Sequence, residues 1–138
     1  MNQHVLLDSN IIVDYALKRS GFAEKAEMIF KQIEAETIGG CISSSAVTDV
    51  YYIVENKTTD DYAREMMEYI YHTLRILPVM EKTIRAALDS GIPDFEDAVQ
   101  AAAAQDFGID IVVTRDKTGY QNSGLHVYTP EEFLESLK

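Results

Sequence analysis

Short unbroken apolar runs alternate along this chain with longer stretches in which apolar residues recur at helical spacing. Five runs have strand character: His4 to Leu7, Gly40 to Ser43, Leu74 to Val79, Ile109 to Thr114 and His126 to Tyr128. Val5-Leu6-Leu7 and Ile111-Val112-Val113 are continuous rather than alternating, which predicts strands covered on both faces. Helical periodicity predicts helices over Ile11 to Lys18, Phe22 to Glu36, Ser45 to Glu55, Asp60 to Thr73, Glu81 to Leu88 and Asp94 to Phe107. A last helix, Glu131 to Leu137, follows Thr129-Pro130, a cap and a first helical residue. Strands alternating with helices predict parallel pairing in a layered α/β domain. No repeat, low-complexity linker or composition break divides the chain, so residues 1–138 are read as one domain.

Length and composition agree with that pattern. A chain of 138 residues with 46% hydrophobic and 25% charged residues can bury a core and has the composition of a globular protein. No stretch approaches the length of a membrane span, and MNQHVLLDSN lacks the basic region and long apolar core of a signal peptide, so the cytoplasm is the expected location. The single cysteine, Cys41, has no CxxC partner and reads as a small buried residue.

Net charge is −11, and the lysines and arginines are scattered. Tight nonspecific binding to duplex DNA is therefore not expected. Action on nucleic acid remains open if cations neutralise acids where a phosphate arrives.

The acids themselves supply the candidate chemistry. In GIPDFEDAVQAAAA, Asp94, Glu96 and Asp97 crowd the start of a helix that continues in alanine. Pro93 and a first-turn carboxylate are ordinary start signals, which accounts for one or two of them. Ligands in parallel α/β sheets collect at the carboxyl ends of the strands. Asp8 ends the first strand, Asp116 follows the fourth, and Asp49 lies on the helix leaving the second, with only uncharged residues at its helical neighbours. The alanine face of the next helix allows close approach to the sheet, which carries Asp97 toward the same edge. Carboxylates crowded in this way call for a cation among them, and an all-oxygen set suits Mg²⁺ or Mn²⁺. Zinc fits less well, because His4, His72 and His126 are far apart and no Cys/His spacing occurs.

The segments LLDSNIIVDY, ISSSAVTDVYYIV, PDFEDAVQAAAA, IVVTRD and VYTPEEFLESL together resemble the PIN-domain proteins, compact ribonucleases that include the VapC-type toxins. The resemblance spans essentially the whole chain. It implies a three-layer α/β/α domain around a five-stranded parallel sheet in the order 3-2-1-4-5, and Mg²⁺- or Mn²⁺-dependent cleavage of RNA. Asp8, Asp49, Asp97 and Asp116 match the family's acids, and Asn10 and Thr114 match polar residues that support the site. Asp49 departs from the family, which commonly has glutamate there. The mechanism implied is in-line attack of a metal-activated water on a phosphodiester. Asp8, Asp97 and Asp49 would hold the principal cation, Asp116 would complete a second position or orient the water, and Thr114 would hydrogen-bond a neighbouring carboxylate.

Asp94 reads either as a site residue or as a helix-start charge. Glu96 is expected on a different face, in solvent, and Asp14 at the surface or in a cap. Tyr51, Tyr52, Tyr62, Tyr69 and Tyr71 read as core, with a homodimer face as the second reading that the resemblance brings. An antitoxin protein is a further partner the resemblance implies. The alternative function is a noncatalytic PIN-like binding or scaffold module with a degraded metal site. Two other acid-rich α/β classes lose on named residues. A haloacid-dehalogenase-type phosphatase needs an aspartate where Asn10 stands, and a response-regulator receiver needs a phosphoacceptor where LRILPVM has none.

Overall fold

A computed structural model describes residues 3–138. Five parallel strands, β1 (Gln3–Leu7), β2 (Ile38–Ser43), β3 (Arg75–Leu77), β4 (Ile111–Val113) and β5 (His126–Tyr128), form one sheet in the order β3-β2-β1-β4-β5. The seven α-helices among the described residues are α1 (Ser9–Leu17), α2 (Ala23–Glu34), α3 (Ser44–Lys57), α4 (Asp60–Thr73), α5 (Glu81–Asp89), α6 (Phe95–Asp106) and α7 (Pro130–Ser136). A 3-10 turn, Lys117–Tyr120, lies between β4 and β5. No helix among the described residues is long and apolar enough to cross a membrane.

The continuous apolar strands are covered on both faces, as their pattern predicts. Val5 and Leu7 pack with Ile11, Ile29, Phe30, Val50 and Phe133 on one side of the sheet. Leu6 and Val112 pack with Ala101, Ala103 and Ala104 on the other. The result is a three-layer α/β/α domain. The alanine run of α6 serves two contacts at once: Ala101, Ala103 and Ala104 meet the sheet side, while Ala98, Val99 and Ala102 meet α5. Larger side chains on either stripe would push α6 away from the strands.

β2 starts at Ile38, ahead of the expected Gly40. Paired glycines weaken a strand signal in sequence, yet here one of them is required by packing. A Cβ on Gly40 would lie 2.5 Å from Ile33 Cδ1 and 2.7 Å from Leu74 Cδ2, so the missing side chain is what lets α2 and the end of α4 close over the sheet. β3 and β4 are shorter than expected, although the flanks of β4 still bond the next strand: the Thr114 N–H donates to the Tyr128 carbonyl and the His126 N–H to the Asp110 carbonyl.

Candidate active site

Pairing of β1 with β4 sets Leu7 opposite Val113, and the Asp8 N–H donates to the Val113 carbonyl at 3.0 Å. Asp8 therefore leaves the carboxyl edge of the sheet beside Thr114. It occupies the cap position of α1, but its carboxylate makes no cap bond. Instead it accepts from Thr114 Oγ1 at 2.8 Å and Ser9 Oγ at 3.3 Å. The Thr114 hydroxyl also accepts from the Asp116 N–H at 3.2 Å, fixing the chain as it leaves β4.

Asp97 reaches this edge from the first turn of α6. The cap of that helix is Asp94, whose Oδ1 accepts from the Asp97 N–H at 3.0 Å, so Asp94 serves the helix start as well as adding charge next to Asp97. Partial burial, followed by the charges of Asp8, Asp94 and Glu96, pushes the Asp97 carboxyl up to about 7. Its Oδ2 lies 2.3 Å from where a Cβ on Gly119 would sit, so only a glycine leaves room for the carboxylate against the 3-10 turn. The next residue, Tyr120, is 1% exposed. Its hydroxyl faces the Asp8 and Asp97 charges without a hydrogen bond of ordinary geometry to either.

Glu96 is exposed, as expected from sequence, yet it joins the cluster. Its carboxylate accepts from Ser9 Oγ at 3.3 Å, and partial burial and then the Asp49 charge push its carboxyl up. The start of α6 lies against the start of α1, so a long side chain on a second face of the first turn still reaches the cluster. Asp49 itself is exposed, on α3, and joins the group through Glu96. Asp116 is exposed too and accepts from Thr118 N at 3.1 Å and Thr118 Oγ1 at 2.5 Å, so its link to Asp8 runs through Thr114. The Asn10 Oδ1 atom is buried without a hydrogen-bond partner. Ser9, Gly119 and Tyr120 were missed in sequence; the only signal for them was their nearness along the chain to Asp8 and Asp116.

Asp14 corrects the expectation from sequence. It is 1% exposed, with Oδ2 2.8 Å from Arg115 Nε and Oδ1 3.4 Å from Arg19 Nη1. The Arg115 guanidinium stacks on Phe22 at 4.0 Å. This buried pair ties α1 to the residue between Thr114 and Asp116. Cys41 is buried as expected, and burial pushes its thiol up to about 11.

The donor set is wholly oxygen, which suits a hard divalent ion and not zinc. Among the described residues, no three His, Cys, Asp or Glu side chains close on one point as they stand. The unpartnered Tyr120 hydroxyl, the unpartnered Asn10 oxygen and the raised Asp97 carboxyl all fit a cation held partly through water between the acids. Asp8 and Asp97 are the residues that would hold it.

The raised Asp97 carboxyl gives a stability prediction for the metal-free protein. From the ordinary carboxylate range up to about pH 7, native Asp97 keeps a proton that the unfolded chain has released. That contribution to stability is lost as pH rises through this window. Asp97→Asn is expected to melt above the parent at pH 8 and to converge with it near pH 4; melting scans in chelator at both pH values check this. Equal gaps at the two pH values would refute it.

The sequence matches the profile of the PIN domain over residues 4–118. It is similar to Ribonuclease VapC1 of Aquifex aeolicus, 26% identical over 139 residues, which cover 97% of this chain and 95% of the relative. In fold it is similar to VapBC2 from Rickettsia felis bound to a promoter DNA fragment, with a TM-score of 0.69 at 16% identity, covering 92% of this chain and 98% of that one. FitAcB from Neisseria gonorrhoeae gives a TM-score of 0.65 at 22% identity over 92% of this chain and 98% of that one. VapC20 of Mycobacterium tuberculosis, a toxin that cleaves the sarcin-ricin loop, gives 0.69 at 10% identity over 85% and 93%. With the profile running from the first strand through the turn that follows Asp116, the chain belongs to the PIN domain family.

Proposed function

We propose that this protein is a divalent-metal-dependent endoribonuclease of the VapC type, the toxin of a toxin–antitoxin pair. The observation that carries the reading is the approach of Asp8, Asp94 and Glu96 to a partly buried Asp97 at one strand edge, where burial first and then their charges push the Asp97 carboxyl up to about 7. Likeness to a VapC ribonuclease over nearly the full length supports it. When bound, Mg²⁺ or Mn²⁺ supplies charge neutralisation at the phosphodiester and a more acidic water. Asp8 and Asp97 would hold the ion, Thr114 and Ser9 fix the Asp8 carboxylate by donating to it, and Glu96 and Asp49 add negative charge on the side of α3. Asp116, oriented by Thr118, would position the attacking water or complete a second ion position.

Cleavage of a labelled single-stranded RNA in Mn²⁺, and its loss in chelator, is the direct test. Absence of cleavage from protein that binds Mn²⁺ would favour the noncatalytic PIN-like module instead.

An antitoxin partner is supported by the likeness to VapBC and FitAB assemblies, and the −11 charge calls for basic residues on it. Duplex DNA binding by the isolated chain is expected to be weaker than micromolar at physiological salt, since the net charge opposes phosphate approach. Fluorescence anisotropy with a labelled duplex checks this, and submicromolar binding would contradict it. The tyrosines divide between two roles. Tyr62 donates to the Ala16 carbonyl at 2.6 Å and Tyr69 stacks near Tyr15 and Phe30, so both belong to the core margin. Tyr52 and Tyr71, 63% and 69% exposed, stand with Ile53 and Ile76 on the surface of α3, α4 and β3 and support a homodimer face. Light scattering at high micromolar concentration is expected to give twice the 15.5 kDa chain mass. A cytoplasmic location follows from the same reading.

A further inference from the structure

The 3-10 turn after β4 holds two features that core packing does not account for. Tyr120 is almost fully buried, yet its hydroxyl lacks a hydrogen-bond partner of ordinary geometry. A phenol in a core normally finds one, and leaving it unpaired costs about 1–3 kcal/mol. Phenylalanine would fill the same space among Leu6, Ala101, Ala104 and Val112 without that cost. The hydroxyl is directed at the two acids that anchor the cluster, Asp8 and Asp97. Beside it, Gly119 presents bare backbone to Asp97 Oδ2, where any Cβ would collide at 2.3 Å. The turn's start is tied down separately, because Asp116 accepts from Thr118 N and Lys117 Nζ pairs with Glu132 Oε1 at 3.0 Å. A fixed turn thus presses one wall against the Asp97 carboxylate and aims one donor between Asp97 and Asp8.

We infer that Gly119 and Tyr120 are positioning residues of the metal site: the glycine sets how far the Asp97 carboxylate can lie back, and the Tyr120 hydroxyl donates to the acid pair and holds its oxygens in the orientation that takes a cation. This rests on the reading of Asp8 and Asp97 as metal-holding residues. A hydroxyl without a partner in the metal-free chain gains one when the carboxylates settle around an ion, so its cost is carried by the empty form and relieved in the loaded form. Partners that orient metal-holding carboxylates change metal affinity by about ten- to a hundredfold when removed.

The test is calorimetric titration of the full chain with MnCl₂, alongside melting scans in chelator. Tyr120→Phe is expected to melt at or above the parent without metal, because the buried unpaired hydroxyl is gone, while its Kd for Mn²⁺ rises about tenfold. A structural role alone would not raise the Kd while leaving the metal-free melting temperature intact. Gly119→Ala is the second variant, expected to weaken Mn²⁺ by displacing Asp97 with Tyr120 still present. It decides the matter if Tyr120→Phe melts well below the parent. Parent-like Mn²⁺ affinity in a well-folded Tyr120→Phe, or in Gly119→Ala should that variant have to decide, overturns the inference, provided the parent binds and Asp97→Asn does not. If the parent itself shows no saturable Mn²⁺ binding, or Asp97→Asn binds equally well, the metal-site reading has failed and the positioning role falls with it.

Discussion

Asp97→Asn is expected to lower metal-dependent RNA cleavage by more than about a hundredfold, since residues standing behind metal ligands already change affinity or activity by about ten- to a hundredfold. The substitution keeps the shape of a side chain packed against Gly119 and preserves the Asp97 N–H bond to Asp94 that starts α6. It removes the carboxyl that burial, and then the neighbouring charges, push up to about 7. The same variant separates mechanism from misfolding through melting. A ligand bound only by the native state, at a hundred times its Kd, stabilises by about 2.7 kcal/mol. Mn²⁺ should raise the melting temperature of the parent and leave that of Asp97→Asn near its value in matched salt. Equal rises in both, together with equal cleavage, would remove Asp97 from the site.

The largest effect on stability is expected at Asp14. Removing one partner of a buried ion pair strands the other charge, at about 3–5 kcal/mol when both are enclosed. The Arg115 side chain keeps 30% of its surface in solvent and Phe22 beneath it, which lowers the expectation for Asp14→Ala to about 2–3 kcal/mol. Urea unfolding measures this. A loss below about 0.5 kcal/mol, the range of ordinary surface changes, would mean that the pair is not held in solution as it is here. Because Arg115 stands between Thr114 and Asp116, the variant should also weaken Mn²⁺, whereas Arg19→Ala should cost little of either. In a double-mutant cycle, Asp14→Ala with Arg115→Ala should lose less than the sum of the two single changes.

Much of this arrangement could be read in the chain, and what was lost has identifiable physical causes. Continuous apolar triplets located β1 and β4 because burial on both faces leaves no polar alternation, and the acids just past them marked the strand edge. Asp94 and Asp97 were legible from local helix-start chemistry. Asp14 was not, because its shorter contact is to Arg115, 101 residues away, and the nearby Arg19 does not by itself distinguish a buried paired acid from a solvated one. Glu96 is in solvent as read, but its link to the site was not legible, because helical periodicity assigns faces along a straight axis, whereas a first-turn side chain can reach around the helix start to Ser9. β2 began two residues early because Gly39 and Gly40 carry a turn signal that the packing of Ile33 and Leu74 overrides. Tyr120 gave no signal in sequence, because only the surroundings of its buried hydroxyl set it apart from a core aromatic.

The pairing of β1 with β4 has a consequence for synthesis. Asp8 is synthesised 106 residues before the Thr114 hydroxyl that orients it. Asp97 is held against Gly119, which also follows β4. β1 sits at the centre of the sheet and receives its second neighbour only when β4 has emerged, with β5 needed in turn to cover β4. Such distant pairings close last, because the loop entropy must be met before the contacts form. Until β4 emerges, a nascent chain therefore carries Asp8 and Asp49 without the geometry that unites them. A fragment released before Thr114 has neither the strand that seats Asp8 nor the turn that seats Asp97. The site is therefore expected to form only once β4 and the turn after it have emerged.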